Sequence, residues 1–223
     1  MQRILILAKE GKAEVYLKTS IQKLIRLSFE QPALLSGVFM TPLLEAYAGG
    51  PLQVRLLSQQ LRPLEAAIPE LMLDQWEPIL ERKVLLQGIG NAITYLYAET
   101  LIVPGVFPAP VYTRLLQGEE PIGRILQELR LPTFREIIAH GRACIGDITD
   151  GMVAEHFKTG PSADVLYRTL LLYVNQRPQC AAMRITEVMP WAYVYDRQDG
   201  SATPALGATG MDSDARKEYQ LGA

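Results

Sequence analysis

Alternation of polar and apolar residues predicts two strands that each place one charged side chain on an otherwise apolar face. In segment 80–87, Arg82 shares its face with leucine and valine side chains; in segment 181–189, Glu187 shares its face with isoleucine and two methionines. Successive strand side chains point to opposite faces, so both charges are predicted to point inward. A buried charge is costly unless it has a partner or a function. The two segments therefore predict a small polar site within an apolar sheet.

Short helices and hairpin-linked strands account for most of the remaining pattern. A helix is predicted over 18–28, and another from Thr41 as N-cap, with Pro42 in the first helical position, to Gly49-Gly50. Strands are predicted at 52–57, 80–87, 92–103, 135–142, 167–174 and 180–189, with turns at 88–91 and 175–178 and short helices at 111–117 and from 121. Residues 63–78 and 146–165 are predicted to be irregular with helical turns. Because no parallel βαβ alternation and no internal repeat is apparent, the pattern predicts an α+β fold with an antiparallel sheet.

Two segments of different character are predicted in the chain of 223 residues. Residues 1–197 are long enough to bury one sizeable core and are predicted to form a single domain. Residues 198–223 are rich in Gly, Ala, Ser and Asp, and this composition predicts a disordered C-terminal tail.

Composition and charge exclude several classes of function. A formal net charge of −2 without a basic stripe argues against nucleic-acid binding, and no apolar run approaches the ~20 residues of a membrane span. The N-terminus lacks the features of a signal peptide, so a cytoplasmic protein is expected. Two cysteines, Cys144 and Cys180, and two histidines, His140 and His156, lack the spacing of metal ligands, so no metal site is predicted.

Four short motifs, in order over residues 35–192, identify a family resemblance. They are Phe39-Met-Thr-Pro-Leu-Leu-Glu-Ala-Tyr47, Glu81-Arg-Lys-Val-Leu-Leu86, Glu119-Glu-Pro-Ile-Gly-Arg-Ile-Leu126 and Ile185-Thr-Glu-Val-Met-Pro190. With these motifs the chain resembles chorismate pyruvate-lyases, including the branch of chorismate-lyase-like proteins of unknown activity. The resemblance implies a six-stranded antiparallel sheet with helices covering an internal ligand site.

The resemblance also implies a reaction and a set of site residues. The family converts chorismate to 4-hydroxybenzoate and pyruvate without a cofactor, and the product feeds quinone or related aromatic pathways. By correspondence of motifs, Arg82 would bind the ring carboxylate and Glu187 would act as an acid at the hydroxyl end. The backbone N–H groups of Met40 and Ile122, the latter in the loop that includes Gly123, would complete the polar contacts.

One position departs from the family pattern and leaves the second carboxylate of chorismate without an obvious partner. Glu99 stands where the ubiquinone-pathway branch has an arginine, and it could instead be a carboxylate paired with Arg82 or a neighbour. Arg168 is the first candidate for the second carboxylate and Arg135 is the second. For Arg82 and Glu187, a purely structural buried ion pair is the alternative to a role in the site.

Two other functions remain open from the sequence. The same fold serves as a small-molecule-binding domain in transcription regulators, and fold alone does not determine function. Only about 35 residues precede the matched region, and they contain no basic recognition helix, which argues against a regulator. A related enzyme that makes a different hydroxybenzoate from chorismate is not distinguishable from the sequence, and neither is the oligomeric state.

Overall fold

Two groups of three strands, each joined by consecutive hairpins, form the framework of the protein. The computed structural model describes residues 2–35, 39–174 and 180–195, so the predicted turn at 175–178 and the predicted tail at 198–223 lie outside the described residues. The strands are β1 (Leu52–Pro63), β2 (Pro78–Gly88), β3 (Thr94–Ile102), β4 (Thr133–Cys144), β5 (Asp164–Val174) and β6 (Met183–Pro190). The helices are α1 (Gln2–Glu30), α2 (Met40–Ala48), α3 (Ala109–Gln117), α4 (Ile122–Glu128), α5 (Ile145–Ile148) and α6 (Met152–His156), with 3₁₀ turns at Pro32–Leu35, Pro69–Leu71 and Trp191–Tyr193.

The six strands form one sheet in the order β1-β2-β3-β6-β5-β4, and every neighbouring pair is antiparallel. The predicted α+β class with a single antiparallel sheet is therefore confirmed. Within the described residues, no helix has the length and apolar character needed to cross a membrane.

The most informative differences from the predicted bounds are in two helices and one strand, while several other elements shift by a few residues. Helix α1 extends far beyond 18–28, and its apolar periodicity is clear only near its end, where Ile21, Ile25 and Phe29 are buried. Helix α2 begins at Met40 after an extended Phe39, so the prediction of Thr41 as its N-cap was wrong. Strand β1 continues to residue 63, because an edge strand exposed on both sides need not alternate in polarity.

The two halves of the sheet repeat one another in strand register, although no repeat is apparent in the sequence. Arg82 of β2 lies opposite Thr100 of β3, and Arg168 of β5 lies opposite Glu187 of β6. Each edge strand carries a bulge just beyond these arginines. The central β3–β6 register is symmetric about the pair Glu99↔Thr186. An approximate two-fold axis through that pair therefore relates Arg82 to Arg168 and places both on the same face of the sheet.

The helices cover the two faces of the sheet unequally. On the face that carries both arginines, α1 and α2 pack over one part of the strands and α3 and α4 over another. On the opposite face a smaller cluster joins α5 and α6 to β2, β3, β5 and β6, with Ile145, Val153 and Phe157 in contact with Leu85 and Val188. The thicker helical layer thus encloses the face toward which Arg82 and Glu187 were predicted to point.

Candidate active site

A cavity lies between the sheet and the first residues of α2 and α4. The space within it, including the open solvent at its mouth, measures about 640 Å³. Most of its lining is apolar. The lining residues are Phe39, Met40, Thr41, Arg82, Val84, Leu86, Leu96, Ala98, Thr100, Pro121, Ile122, Gly123, Leu126, Arg135, Arg168, Leu170, Leu172, Ile185 and Glu187.

Arg82 is almost completely buried at the floor of this cavity, with 1% of its surface exposed. Its Nη2 donates to the backbone carbonyls of Gly118 (3.1 Å) and Glu120 (2.8 Å), which fix the guanidinium in place. Its Nε is buried and donates to none of the described residues, and no described carboxylate lies within ion-pairing distance. Burial lowers the pKa of Arg82 to about 10, so the guanidinium remains charged at neutral pH.

Arg168 is also buried, with 3% exposed, but it has a carboxylate partner. Its Nε donates to Oε2 of Glu187 at 2.5 Å, and its Nη1 donates to the carbonyl of Ser28 at the end of α1 (3.0 Å). Glu187 itself is 14% exposed at the side chain and lines the cavity. Strand alternation therefore predicted the inward direction of Glu187 correctly, but it could not predict that an arginine on the neighbouring strand would hold its carboxylate.

The two-fold relationship explains why only one of the two arginines is paired. The counterpart of Glu187 in the first half of the sheet is Thr100, a neutral residue that also lines the cavity. Arg82 therefore faces a hydroxyl across the strand pair, where Arg168 faces a carboxylate. A desolvated guanidinium without a counter-ion is costly, and its positive charge is directed at the cavity.

Arg135 of β4 forms a third cationic group at the cavity. Its guanidinium carbon lies 3.6 Å from the ring centroid of Phe39, in a cation–π contact. The pKa of Arg135 is lowered, mainly by burial; the carboxylate of Glu187 opposes this shift and the like charge of Arg168 adds to it. A Cβ on Gly123 would meet the Phe39 ring at 2.6 Å, so the missing side chain at 123 leaves space for this ring over Arg135.

Met40 and Ile122 lie where the family resemblance requires backbone donors. Met40 is the first residue of α2 and Ile122 is the first residue of α4, and both line the cavity. The N–H groups in the first turn of a helix have no partner within that helix. Both positions therefore have backbone N–H groups that their helices leave unpaired at the cavity lining.

Glu99 is the one predicted site residue that the structure does not bring to the cavity. Ala98 and Thr100 face the cavity, so alternation along β3 directs Glu99 to the opposite face. There its carboxylate accepts a hydrogen bond from the Tyr97 hydroxyl (3.1 Å) and lies 3.9 Å from Lys83 Nζ. The alternative of pairing with Arg82 is also wrong, whereas pairing with a neighbour is correct.

The sequence analysis missed two lining residues of evident importance. Phe39 was noted only as the start of a motif, and its contact with Arg135 joins segments far apart in the chain. Thr100 shares a face with Ala98 and could have been found by extending the alternation of β3.

The charged lining of the cavity suits a ligand with two negative charges. Among the described residues that line it, three guanidiniums and one carboxylate give a formal charge of +2. The apolar walls strengthen the interaction of these groups with an anion because they exclude water. A planar, largely apolar molecule with two carboxylates would match both the lining and the charge.

Comparison with known proteins finds curated relatives that share one name. No family model matches the chain. A protein named chorismate pyruvate-lyase from Mycobacterium leprae is 33% identical over 109 residues, which are 49% of this chain and 50% of that protein. The chorismate pyruvate-lyase of Mycobacterium tuberculosis (strain CDC 1551) is 31% identical over 78 residues, or 35% of this chain and 37% of that protein.

The predicted resemblance to chorismate pyruvate-lyases is confirmed. The chain spans about half the length of the curated chorismate pyruvate-lyases that it matches. The chorismate-lyase resemblance is thus one of sequence over part of the chain, and activity, substrate and partners remain to be argued from the site.

One solved structure, PhnF, shares the fold at much lower sequence identity. PhnF from Mycobacterium smegmatis superposes with a TM-score of 0.52 at 12% identity, covering 70% of this chain and 65% of that one. A GntR-family transcriptional regulator from Bacillus cereus has a TM-score of 0.47 at 11% identity, covering 62% of this chain and 91% of that one. The likeness to PhnF is one of fold alone.

Proposed function

We propose that this protein is a chorismate lyase that produces 4-hydroxybenzoate and pyruvate. The observation that carries the proposal is Arg82, a buried guanidinium without a carboxylate partner among the described residues, directed into an apolar cavity. The sequence similarity to chorismate pyruvate-lyases supports a ligand whose ring bears a carboxylate. Arginine suits this group because its planar donors form charge-assisted hydrogen bonds with carboxylate oxygens.

The reaction requires little beyond orientation and polarisation. The ring C–O bond to the enolpyruvyl group breaks, and its electron pair leaves with that oxygen. The ring carbon that bears the hydroxyl loses a proton, and the ring becomes aromatic. The departing enolpyruvate gains a proton and becomes pyruvate, so no net proton, cofactor or redox partner is consumed.

The lining residues divide into two roles in this proposal. Arg82 binds the ring carboxylate, and the backbone N–H groups of Met40 and Ile122 hold the polar groups of the ring in place. Strand spacing places the Cα atoms of Arg82 and Glu187 roughly 12 Å apart, two strands across and two residues along, so their side chains can converge on opposite ends of one ring. Glu187 then donates a hydrogen bond or proton during C–O cleavage. General acid catalysis of this kind contributes roughly 10²–10⁴-fold.

A second candidate function is a binding domain that holds an aromatic carboxylate without converting it. The ion pair between Arg168 and Glu187 favours this alternative, because a carboxylate held by a guanidinium is not poised to donate a proton. Both functions use Arg82 as the anchor of the ligand. They differ in whether Glu187 is released from Arg168 and can donate a proton once the ligand is bound.

One experiment separates the candidates. Purified protein is incubated with chorismate, and the aromatic product and pyruvate are quantified by chromatography. Equimolar 4-hydroxybenzoate and pyruvate support the lyase. A different hydroxybenzoate would show that the enzyme converts chorismate to another isomer. Binding of chorismate without turnover would support the binding domain.

A further inference from the structure

A dianionic ligand needs a second positive anchor, and the two-fold relationship within the sheet indicates where it lies. Arg168 is the counterpart of Arg82 in strand register, it is buried to nearly the same degree, and it lines the same cavity. Each half of the sheet therefore contributes one buried arginine to a shared site.

The donors of Arg168 are only partly used by the protein. Its Nε binds Glu187 and its Nη1 binds the carbonyl of Ser28, while its Nη2 donates to none of the described residues. The Ser28 contact anchors the guanidinium independently of Glu187. Arg168 can consequently keep its position while it exchanges one carboxylate for another.

The local charge around Arg168 favours a second carboxylate. Arg135 and Arg168 both line this end of the cavity, and Arg168 is ion-paired with Glu187. The first half of the sheet has no equivalent cluster, because the counterparts of Arg135 and Glu187 there are Val54 and Thr100. The two ends of the site thus differ. A ligand carboxylate meets no carboxylate of the described residues at Arg82, whereas at Arg168 it competes with Glu187.

We infer that Arg168, with Arg135 beside it, binds the enolpyruvyl carboxylate of chorismate and thereby releases Glu187 from its ion pair. This inference rests on the proposed function and assigns its second carboxylate site. It resolves the conflict between an acid and an ion-paired carboxylate, because the ion pair of Glu187 with Arg168 would be exchanged for the substrate carboxylate on binding. Loss of pyruvate would return Arg168 to Glu187, so the single carboxylate of the product 4-hydroxybenzoate would be bound by Arg82 and not by Arg168.

The test compares two ligands that differ in this carboxylate. Chorismate and 4-hydroxybenzoate are titrated by calorimetry into the full-length Glu187→Gln protein and into the double variant Glu187→Gln/Arg168→Gln, in which no buried charge of the pair is left alone. We expect chorismate binding to weaken by about 10- to 100-fold in the double variant and 4-hydroxybenzoate binding to change less than about threefold. The control Glu187→Gln/Arg184→Gln alters an arginine outside the cavity lining and should leave both affinities unchanged.

A second measurement is the turnover of the Arg168→Lys protein. Lysine keeps the positive charge at residue 168 but lacks the planar pair of guanidinium donors. We expect its KM for chorismate to rise several-fold, with inhibition by 4-hydroxybenzoate unchanged. Equal weakening of both ligands in the double variant, or unchanged chorismate binding, would overturn the assignment of Arg168. If the Glu187→Gln protein binds neither ligand, the proposed function itself fails, which is a different result.

Discussion

Arg82 and Arg168 occupy equivalent positions in the two halves of the sheet, yet only Arg168 has a carboxylate opposite it. Arg82 faces Thr100 and is held by the carbonyls of Gly118 and Glu120. One arginine therefore contributes to the stability of the empty protein through an ion pair, and the other keeps its charge available for a ligand. This difference leads to opposite expectations for the two residues.

Replacing Arg82 should abolish function without unfolding the protein. Arg82→Met removes an unpaired buried charge, which is stabilising, and leaves two carbonyls without a donor, which costs about 1–3 kcal/mol each. We expect the free energy of unfolding to change by less than about 2 kcal/mol, whereas ligand binding loses about 2–5 kcal/mol. Denaturant unfolding and kcat/KM for chorismate, measured beside Arg184→Met as control, check both parts. Near-normal kcat/KM in Arg82→Met would remove Arg82 from the site.

Replacing Arg168 should instead destabilise the protein. Arg168→Met leaves Glu187 as an uncompensated buried carboxylate, which costs about 3–5 kcal/mol. A second change, Glu187→Gln, should recover most of that loss, so a double-mutant cycle gives a coupling of about 1–3 kcal/mol. The matched control is the pair Arg62 and Glu81 at 2.8 Å, which is more exposed and should couple by less than about 1 kcal/mol. Equal couplings in the two cycles would show that burial does not distinguish the pairs.

The product 4-hydroxybenzoate should bind the protein and inhibit turnover. It keeps the ring carboxylate and the hydroxyl that the cavity is proposed to hold, and release of product from an enclosed site is often slow. A ligand at 100 times its Kd stabilises the native state by about 2.7 kcal/mol, so the Tm should rise measurably. The increase should disappear in Arg82→Met. No binding at millimolar concentration in calorimetry would argue against the cavity as the ligand site.

Adding a methyl group at Gly123 should disturb the ligand site from its edge. The new Cβ would lie 2.6 Å from the Phe39 ring, so the ring must move away from the Arg135 guanidinium. We expect Gly123→Ala to raise KM for chorismate several-fold with little change in Tm. Gly50→Ala is the control, because a Cβ at residue 50 meets no atom within 4 Å. Equal KM values in the two variants would separate Phe39 from ligand binding.

Alternation within single strands was enough to predict the antiparallel sheet and the inward direction of Arg82 and Glu187. The alignment with the family failed for Glu99, because it placed this residue at the site, whereas alternation along β3 directs its side chain to the other face. The period of two makes such predictions sensitive to a shift of one residue.

Relationships between distant segments could not be predicted from the sequence. The pairing of Arg168 with Glu187 depends on the register of β5 against β6, and the contact of Phe39 with Arg135 depends on how the residue before α2 lies over β4. The equivalence of the two halves appears mainly in strand register, because the sequences share little beyond the pattern Leu-x-Arg-x-x-Leu-Leu at 80–86 and 166–172. These features arise from tertiary packing, which local periodicity does not encode.

The most direct test of the account is the kcat of the Glu187→Gln protein. Glutamine keeps the size and some hydrogen-bonding capacity of Glu187 but cannot transfer a proton, so kcat should fall by roughly 10²-fold or more while 4-hydroxybenzoate still binds. Glu81→Gln is the matched control, since Glu81 is a sheet carboxylate paired with an arginine and 12% exposed, close to the 14% of Glu187, but it does not line the cavity. The account predicts a large loss of kcat for Glu187→Gln alone, with melting curves of both variants showing folded protein. A wild-type kcat in well-folded Glu187→Gln would contradict it.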